Sequence, residues 1–289
     1  MTKSIVEIVP PPQQGHWVGD GFPVRSLFSY HNDPAAVTPF LLFDYAGPWQ
    51  FPANASDALR GVGEHPHRGF ETVTIVYDGE VSHADSAGGG GTIGAGDVQW
   101  MTAGAGIVHQ EFHSAEFSRV GGPFRMVQLW VNLPAKDKDA PAAYQAITRD
   151  QIPCVPFVGG HARVIAGAFA GVQGPAKSFT PIELWDVRLN AGAELHLPIS
   201  EGFNAMIAVL DGELEVTGAT AGAGALVRLS REGHDIDVRA TTETMLLVLA
   251  GEPIDEPVAG HGPFVMNYPA EISQAMRDFQ AGKFGRVTA

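Results

Sequence analysis

The sequence predicts an all-β protein made of two copies of one β unit, with few short helices. Three observations support this prediction: short apolar runs of strand length, glycine and proline spread along the whole chain (35 Gly and 21 Pro in 289 residues), and an Asp-Gly dipeptide that recurs in each half. A chain of this length is ample to bury a core, and it suits two domains.

Four apolar runs predict strands, namely residues 72–77 and 126–131 in the first half and residues 205–210 and 244–250 in the second. The first run of each half ends directly at an Asp-Gly dipeptide, which is typical of a β-hairpin turn. We therefore expect equivalent hairpins in the two halves.

The two Asp-Gly turns also reveal an internal repeat. Placing Asp78-Gly79-Glu80 over Asp211-Gly212-Glu213 places Gly69-Phe70 over Gly202-Phe203, and an apolar run follows each pair. Self-similarity at a fixed offset indicates two copies of one structural unit.

A charged, proline-bracketed stretch at residues 133–141 is typical of a domain boundary. We expect an N-terminal domain over residues 1–134, a linker over 135–146, and a C-terminal domain over 147–289 that includes a C-terminal helix. That helix is predicted over residues 271–284, where four apolar residues recur at the spacing of one helix face: Ile272, Ala275, Met276 and Phe279. A second, short helix is expected over residues 142–150.

Composition narrows the class of protein. The net charge is −14 with no basic stripe, which argues against direct binding to nucleic acid. No apolar run is long enough to span a membrane, and residues 1–10 have no signal-peptide pattern. The single cysteine, Cys154, excludes an internal disulfide, which fits a reducing cytoplasm, and its apolar neighbours predict that it is buried.

Two pairs of metal-capable side chains lie in the first half, His65 and His67, then His109 and Glu111. Residues at i and i+2 share one face of a strand, so two such strands could offer three imidazoles and one carboxylate to a single divalent ion. Pro66 cannot donate to a β-ladder, which places its strand at an edge.

Other residues near these pairs could contribute to the site. Glu71 is a rival carboxylate with an alternative role in the fold, whereas His83 and His113 are more often solvated or core histidines than ligands. In the second copy, the aligned positions of His65, His67 and Glu71 hold Pro198, Ser200 and Asn204. The second copy is therefore expected to keep the architecture without these ligands.

The donor set constrains the metal. The absence of thiolate argues against a closed structural zinc site, and four protein ligands around an octahedral ion leave two open positions. We expect one divalent ion, with Fe(II) as first choice and Mn, Ni, Co, Cu and Zn chemically possible, because nitrogen and oxygen ligands select weakly among them.

The stretches His65-Pro-His-Arg-Gly-Phe-Glu-Thr-Val-Thr74 and Gly96-Asp-Val-Gln-Trp-Met-Thr-Ala-Gly-Ala-Gly-Ile-Val-His-Gln-Glu111 resemble the signature of pirins, a branch of the cupin superfamily. The resemblance implies two tandem cupin barrels, antiparallel and of the jelly-roll type. It also implies that the N-terminal barrel binds a metal, usually iron, through the residues matching His65, His67, His109 and Glu111. Pirins use the carboxylate at the Glu111 position, so we assign Glu111 rather than Glu71.

Two functions follow from the resemblance. One is a quercetin 2,3-dioxygenase-like activity on a small aromatic, flavonol-like substrate with O₂, in which Glu111 is both a metal ligand and the catalytic base. The alternative is a non-enzymatic, metal-dependent regulator that senses redox state and binds a protein partner. The motif does not separate these two roles.

Overall fold

The computed structural model describes residues 1–54 and 58–288, and most of them lie in antiparallel strands. The predicted all-β class is confirmed. The strands run in chain order as β1 (Ile5–Val9), β2 (His16–Val18), β3 (Phe22–Ser29), β4 (Phe40–Phe51), β5 (Gly61–His67), β6 (Phe70–Asp78), β7 (Glu80–Asp85), β8 (Gly90–Gly94), β9 (Val98–Thr102), β10 (Ile107–His113), β11 (Gly122–Asn132), β12 (Ala143–Ile147), β13 (Cys154–Phe157), β14 (Gly160–Ala166), β15 (Ala168–Phe169), β16 (Val172–Gln173), β17 (Ile182–Leu189), β18 (Glu194–Leu197), β19 (Asn204–Asp211), β20 (Glu213–Val216), β21 (Ala219–Gly222), β22 (Leu226–Leu229), β23 (Ile236–Ala240), β24 (Thr244–Gly251), β25 (Ala259–His261) and β26 (Phe264–Met266).

Helices are few and short within the described part of the chain: α1 (Pro34–Val37), α2 (Ala115–Val120) and α3 (Pro269–Gln280), with single 3₁₀ turns at Ala135–Asp137 and Arg149–Gln151. None of these helices has the length and apolar character that a bilayer-spanning helix requires.

The chain divides into two compact units, each built from segments that are not contiguous in sequence. We call the first the histidine barrel; it comprises Gln14–Phe28, Phe40–Arg149 and Ile254–Ala289. We call the second the apolar barrel; it comprises Met1–Gln13, Ser29–Pro39 and Asp150–Pro253.

The two barrels have matching strand orders. The histidine barrel contains a seven-stranded sheet (β12-β9-β6-β11-β4-β3-β2) and a four-stranded sheet (β5-β10-β7-β8). The apolar barrel contains a seven-stranded sheet (β1-β22-β19-β24-β17-β14-β13) and a four-stranded sheet (β18-β23-β20-β21). The repeat seen in the sequence therefore corresponds to a repeat of topology, in which β6 matches β19 and β7 matches β20.

The predicted strands form because their residues are buried. Every residue of β19 before its final Asp211 is buried, and β6 is buried in the same way up to Asp78. Each strand ends at the glycine of its Asp-Gly turn, where Gly79 and Gly212 adopt left-handed φ values of 86° and 78°. Glycine is favoured there because it has no Cβ to clash in that conformation.

The helix expected over residues 142–150 is absent, and this prediction was wrong. Residues Ala143–Ile147 form β12, which pairs with β9 and buries Ile147. Pairing with an existing sheet edge outweighs the local helical tendency of this segment. The stretch expected as a linker over residues 135–146 thus contains a 3₁₀ turn and most of an edge strand of the histidine barrel.

The C-terminal helix was predicted to belong to a domain over residues 147–289, but it lies in the other unit. Its unit is the histidine barrel, because Ile272 and Ala275 of α3 pack with Phe264 and with Val108 of β10. The helix begins at Pro269 and ends before Phe284, which still packs in the same apolar cluster.

Cys154 was expected to be buried, and this expectation was wrong. It lies exposed at the start of β13, the edge strand of its sheet. Edge strands leave side chains uncovered, and an apolar local sequence cannot report which strand of a sheet lies at the edge.

Candidate metal centre

The two predicted pairs of side chains lie on neighbouring strands. β5 and β10 pair antiparallel, with His65 opposite His109 and His67 opposite Ile107. The register shifts between His109 and Glu111. β5 is the edge strand of its sheet, as the proline between the two histidines predicts.

Three imidazoles converge across this pair of strands. One ligand nitrogen from each of His65, His67 and His109 lies within 4.8 Å of the other two. His65 is half-buried, whereas His67 and His109 are 5% and 0% exposed. The cluster therefore lies beneath the surface and is reached on the side of His65.

The outer nitrogens of these rings have partners. The Nδ1 of His65 lies 2.9 Å from the carbonyl oxygen of Gly63, and the Nδ1 of His67 lies 3.4 Å from that of Pro263. Donation from Nδ1 to a carbonyl leaves Nε2 with a lone pair. The Nε2 of His109 is buried and has no hydrogen-bond partner among the residues that the structure describes. A buried nitrogen without a partner is costly, so a metal ion fits this position.

The electrostatics favour the neutral form of His67 and His109, the form that binds a metal. Burial, together with the neighbouring His65, lowers the pKa of His67 to about 3. Burial also lowers the pKa of His109 well below its ordinary value, and the neighbouring His67, His65 and His83 lower it further.

Glu111 lies in a second group, which shares His109 with the first. One ligand atom from each of His83, His109 and Glu111 lies within 4.8 Å of the others, and all three residues are buried. The carboxylate of Glu111 accepts hydrogen bonds from Gln128 (3.1 Å) and Thr74 (3.5 Å). His65, His67 and Glu111 each lie close to His109, but the four residues do not form a single group. Their joint role as ligands stays a prediction.

The rival carboxylate, Glu71, belongs to neither group among the described residues. It is 1% exposed and accepts a hydrogen bond of 2.7 Å from Thr102. Burial raises its pKa to about 7. His113, the other outlying candidate, donates from Nε2 to the carbonyl oxygen of Gly21 (2.8 Å) and packs among phenylalanine rings, as a core histidine does.

His83, which the sequence favoured as a solvated or core histidine over a ligand, lies beside His109. It is 4% exposed, and its Nδ1 lies 3.3 Å from the Nδ1 of His109. On β7, Val81, His83 and Asp85 alternate with more exposed residues, so all three point inward. His83 and Asp85 form a third i, i+2 pair of polar residues, which the sequence shows, but the contacts of His83 with His109 and Tyr144 cross strands.

The arrangement offers nitrogen and oxygen donors in a mostly buried cluster whose most accessible member is His65. Such a donor set suits a first-row divalent ion and leaves coordination positions for small molecules. No thiolate is present at the site.

Comparisons with known proteins agree with this geometry. The model of the Pirin family matches residues 21–131, and the model of the Pirin C-terminal cupin domain matches residues 184–285. The chain is 52% identical over 274 residues to a "Putative quercetin 2,3-dioxygenase" of Pseudomonas aeruginosa, covering 94% of this chain and 95% of that relative. It is 43% identical over 286 residues to a "Pirin-like protein" of Caulobacter vibrioides, covering 98% and 99% of the two chains.

Among solved structures, the chain is similar to a crystal structure described as quercetin 2,3-dioxygenase from Acinetobacter baumannii. The TM-score is 0.96 and the sequence identity 49%, with all of both chains covered. This likeness over the whole length confirms the predicted fold of two tandem cupin-type barrels.

Proposed function

The chain belongs to the pirin family, and we propose that it is a metal-dependent dioxygenase that acts on quercetin or a similar flavonol with O₂. The observation that carries the proposal is the convergence of three imidazoles, two of them buried, beside the carboxylate of Glu111. The names of the relatives from P. aeruginosa and A. baumannii support the choice of substrate class. The single cysteine supports a cytoplasmic location.

The metal would be held by His65, His67 and His109 through Nε2, with Glu111 as the fourth ligand, and iron is our first choice. When bound, the ion would supply Lewis acidity and a template that brings a chelating hydroxyl-ketone pair close to O₂.

Glu111 is assigned the role of base. Hydrogen bonds donated by Gln128 and Thr74 fix the orientation of its carboxylate. A carboxylate held in this way can accept the hydroxyl proton of a flavonol that enters beside His65. Gln128 and Thr74 thereby position the proton acceptor.

Two aromatic side chains pack against the ring of His67. The ring of His67 lies 5.0 Å from that of Phe70 and 5.4 Å from that of Trp130, measured between centroids. Phe70 and Trp130 also pack together at 4.3 Å. These ring contacts cover part of the His67 imidazole, which is buried.

The test is Glu111→Gln with Glu116→Gln as the matched control, because Glu116 is an exposed carboxylate on α2. Quercetin loss and O₂ uptake are measured together on iron-loaded protein. We expect Glu111→Gln to reduce turnover by roughly 10²–10⁴-fold, as expected for loss of a general base, and Glu116→Gln to leave it unchanged. Full turnover by Glu111→Gln would remove Glu111 from the mechanism.

The burial of the cluster supports a second candidate, a metal-dependent regulator without turnover. His67, His109 and Glu111 are each at most 5% exposed, so a bulky flavonol has direct access only near His65. A small oxidant would still reach the ion and change its charge. The same assay separates the two functions: stoichiometric O₂ uptake with quercetin supports the dioxygenase, and its absence across several flavonols and metals supports the regulator.

A further inference from the structure

We propose that Asp85 and His83 form a positioning relay that fixes the tautomer of His109, so that its Nε2 lone pair faces His65 and His67. The inference rests on the metal site of the proposed function and not on flavonol oxidation. It assigns a role to two residues that no motif of the family resemblance includes.

The relay begins at Asp85, whose carboxylate has donors on both oxygens. Oδ1 accepts from the backbone amides of Ala87 (2.8 Å) and Gly89 (2.9 Å), and Oδ2 lies 3.0 Å from Nε2 of His83. A carboxylate has no proton to give, so the proton of this last bond resides on His83 Nε2. Gly89 is required here, because a Cβ would lie 2.4 Å from Asp85 Oδ2.

The opposite nitrogen of His83 is held as an acceptor. The hydroxyl of Tyr144 donates to Gln99 Oε1 (3.3 Å), which turns the amide group of Gln99 towards His83. The amide nitrogen then donates to His83 Nδ1 at 3.1 Å. The ring of Tyr144 also stacks on that of His83, with centroids 5.0 Å apart and planes at 15°, so the imidazole cannot rotate freely.

The last step concerns His109, whose Nδ1 lies 3.3 Å from Nδ1 of His83. Because His83 Nδ1 is an acceptor, whose lone pair Gln99 and His109 share as donors, the proton between the two rings resides on His109 Nδ1. His109 Nε2 therefore carries a lone pair, and this is the buried nitrogen that lacks a hydrogen-bond partner among the described residues. It belongs to the ring whose centroid lies 4.2 Å from that of His65 and 4.8 Å from that of His67.

The apolar barrel shows that the fold does not need these polar residues. The alignment that superposes the two Asp-Gly turns places Val216 of β20 at the position of His83, and Val216 is 0% exposed. An apolar side chain can thus fill this inward position. Buried polar groups cost stability unless they are fully bonded, so a bonded His83–Asp85 pair in the histidine barrel alone indicates a role at the site.

The decisive variant is Asp85→Asn. Its Oδ1 would still accept from the two backbone amides, so its NH₂ group would face His83 and donate to Nε2. The proton of His83 would then move to Nδ1, and the amide of Gln99 would turn its Oε1 towards it. His109 Nδ1 would face this N–H group and could no longer hold a proton, so the proton of His109 would move to Nε2, where it blocks metal binding. We expect the affinity for Ni²⁺, measured by competition with a chelator, to fall by about 10–100-fold, the usual loss for such outer residues.

Val81→Ala is the matched control, because Val81 is a buried residue on the same face of β7. It should lower thermal stability and leave Ni²⁺ affinity within about twofold of the wild type. A second readout uses ¹⁵N resonances of the histidine rings in the metal-free protein. We expect His109 to be protonated at Nδ1 in the wild type and at Nε2 in Asp85→Asn.

Wild-type His109 protonated at Nε2, or Ni²⁺ affinity unchanged by Asp85→Asn, would overturn the relay. The ring resonances report on the tautomers even without metal. If the wild type shows the expected tautomers but binds no Ni²⁺, the proposed metal site fails and the relay as a device for metal binding fails with it. Loss of flavonol turnover alone would leave the relay intact.

Discussion

The two barrels share one order of strands and differ in what fills them. The apolar barrel has a continuous interior of buried aliphatic residues, including Val216, Leu246 and Val248. The histidine barrel buries His67, His83 and His109 in its interior. The same topology therefore accommodates either an apolar or a histidine-containing interior. The residues that could bind a metal occupy a few inward positions of one copy.

Each barrel also contains a buried lysine whose ammonium group is fully hydrogen-bonded. Lys138 is 2% exposed and donates to Gly69 O, Asn132 Oδ1 and Val265 O within the histidine barrel. Lys3 is 1% exposed and donates to three carbonyl groups within the apolar barrel. These ammonium groups are buried with hydrogen-bond partners, so the barrels agree in structural supports and differ in the metal-capable cluster.

The largest change in the free energy of unfolding should come from truncating a buried core side chain. Leu246→Ala and Leu129→Ala remove fully buried side chains from β24 of the apolar barrel and β11 of the histidine barrel. Each should lower the free energy of unfolding by about 2–5 kcal/mol, measured by urea titration. Leu246→Ala should leave Ni²⁺ affinity unchanged. A large loss of affinity in Leu246→Ala would contradict the assignment of metal binding to the histidine barrel alone.

Metal binding should stabilise one barrel selectively. At a free metal concentration a hundred times the dissociation constant, mass action adds about 2.7 kcal/mol to the stability of the state that binds. Hydrogen exchange should slow in β5 and β10, and it should change little in β19 and β24. Equal protection of both pairs of strands would contradict metal binding by the histidine barrel alone.

A smaller effect concerns pH and the apolar barrel. Burial raises the pKa of Glu183 to about 7, against an ordinary value of 4.5. The folded state then holds a proton that the unfolded state has lost, so stability falls as pH rises from about 4.5 to about 7 and levels off above. Allowing for partial exposure of Glu183, we expect a loss of about 2 kcal/mol.

Glu183→Gln should remove this contribution, so the unfolding free energy of the variant should rise relative to that of the wild type between pH 4.5 and 7.5. Glu71, His67 and His109 also titrate in this window, but they are present in both proteins and cancel in the difference. Because Glu183 belongs to the apolar barrel, added Ni²⁺ should not alter the difference between the variant and the wild type. A difference between the variant and the wild type that stays constant with pH would contradict the titration of Glu183.

Much of the fold could be predicted from the sequence, because β6, β11, β19 and β24 are buried strands whose apolar runs are visible locally. The sequence could not predict that each unit includes segments from the other half of the chain. β1 pairs with β22, more than two hundred residues further along the chain, and no local pattern specifies so distant a partner. The same limit explains the unexpected β12 and the assignment of α3 to the other half.

The site was predictable to the extent that its members are neighbours in sequence. His65 and His67 share one strand, and His109 and Glu111 share the next in the sheet, so i, i+2 spacing identified both pairs. His83 was missed because its importance lies in contacts across strands, with His109 and with Tyr144. Spacing along one strand does not report such contacts.

The most direct test of the account is an anomalous difference map from crystals of the iron-loaded protein. The account predicts one strong peak per chain, about 2.0–2.2 Å from the Nε2 atoms of His65, His67 and His109, with Glu111 as the carboxylate ligand. It predicts no peak in the apolar barrel. A peak coordinated by Glu71 instead of Glu111, a peak in the apolar barrel, or no peak among the three histidines would contradict it.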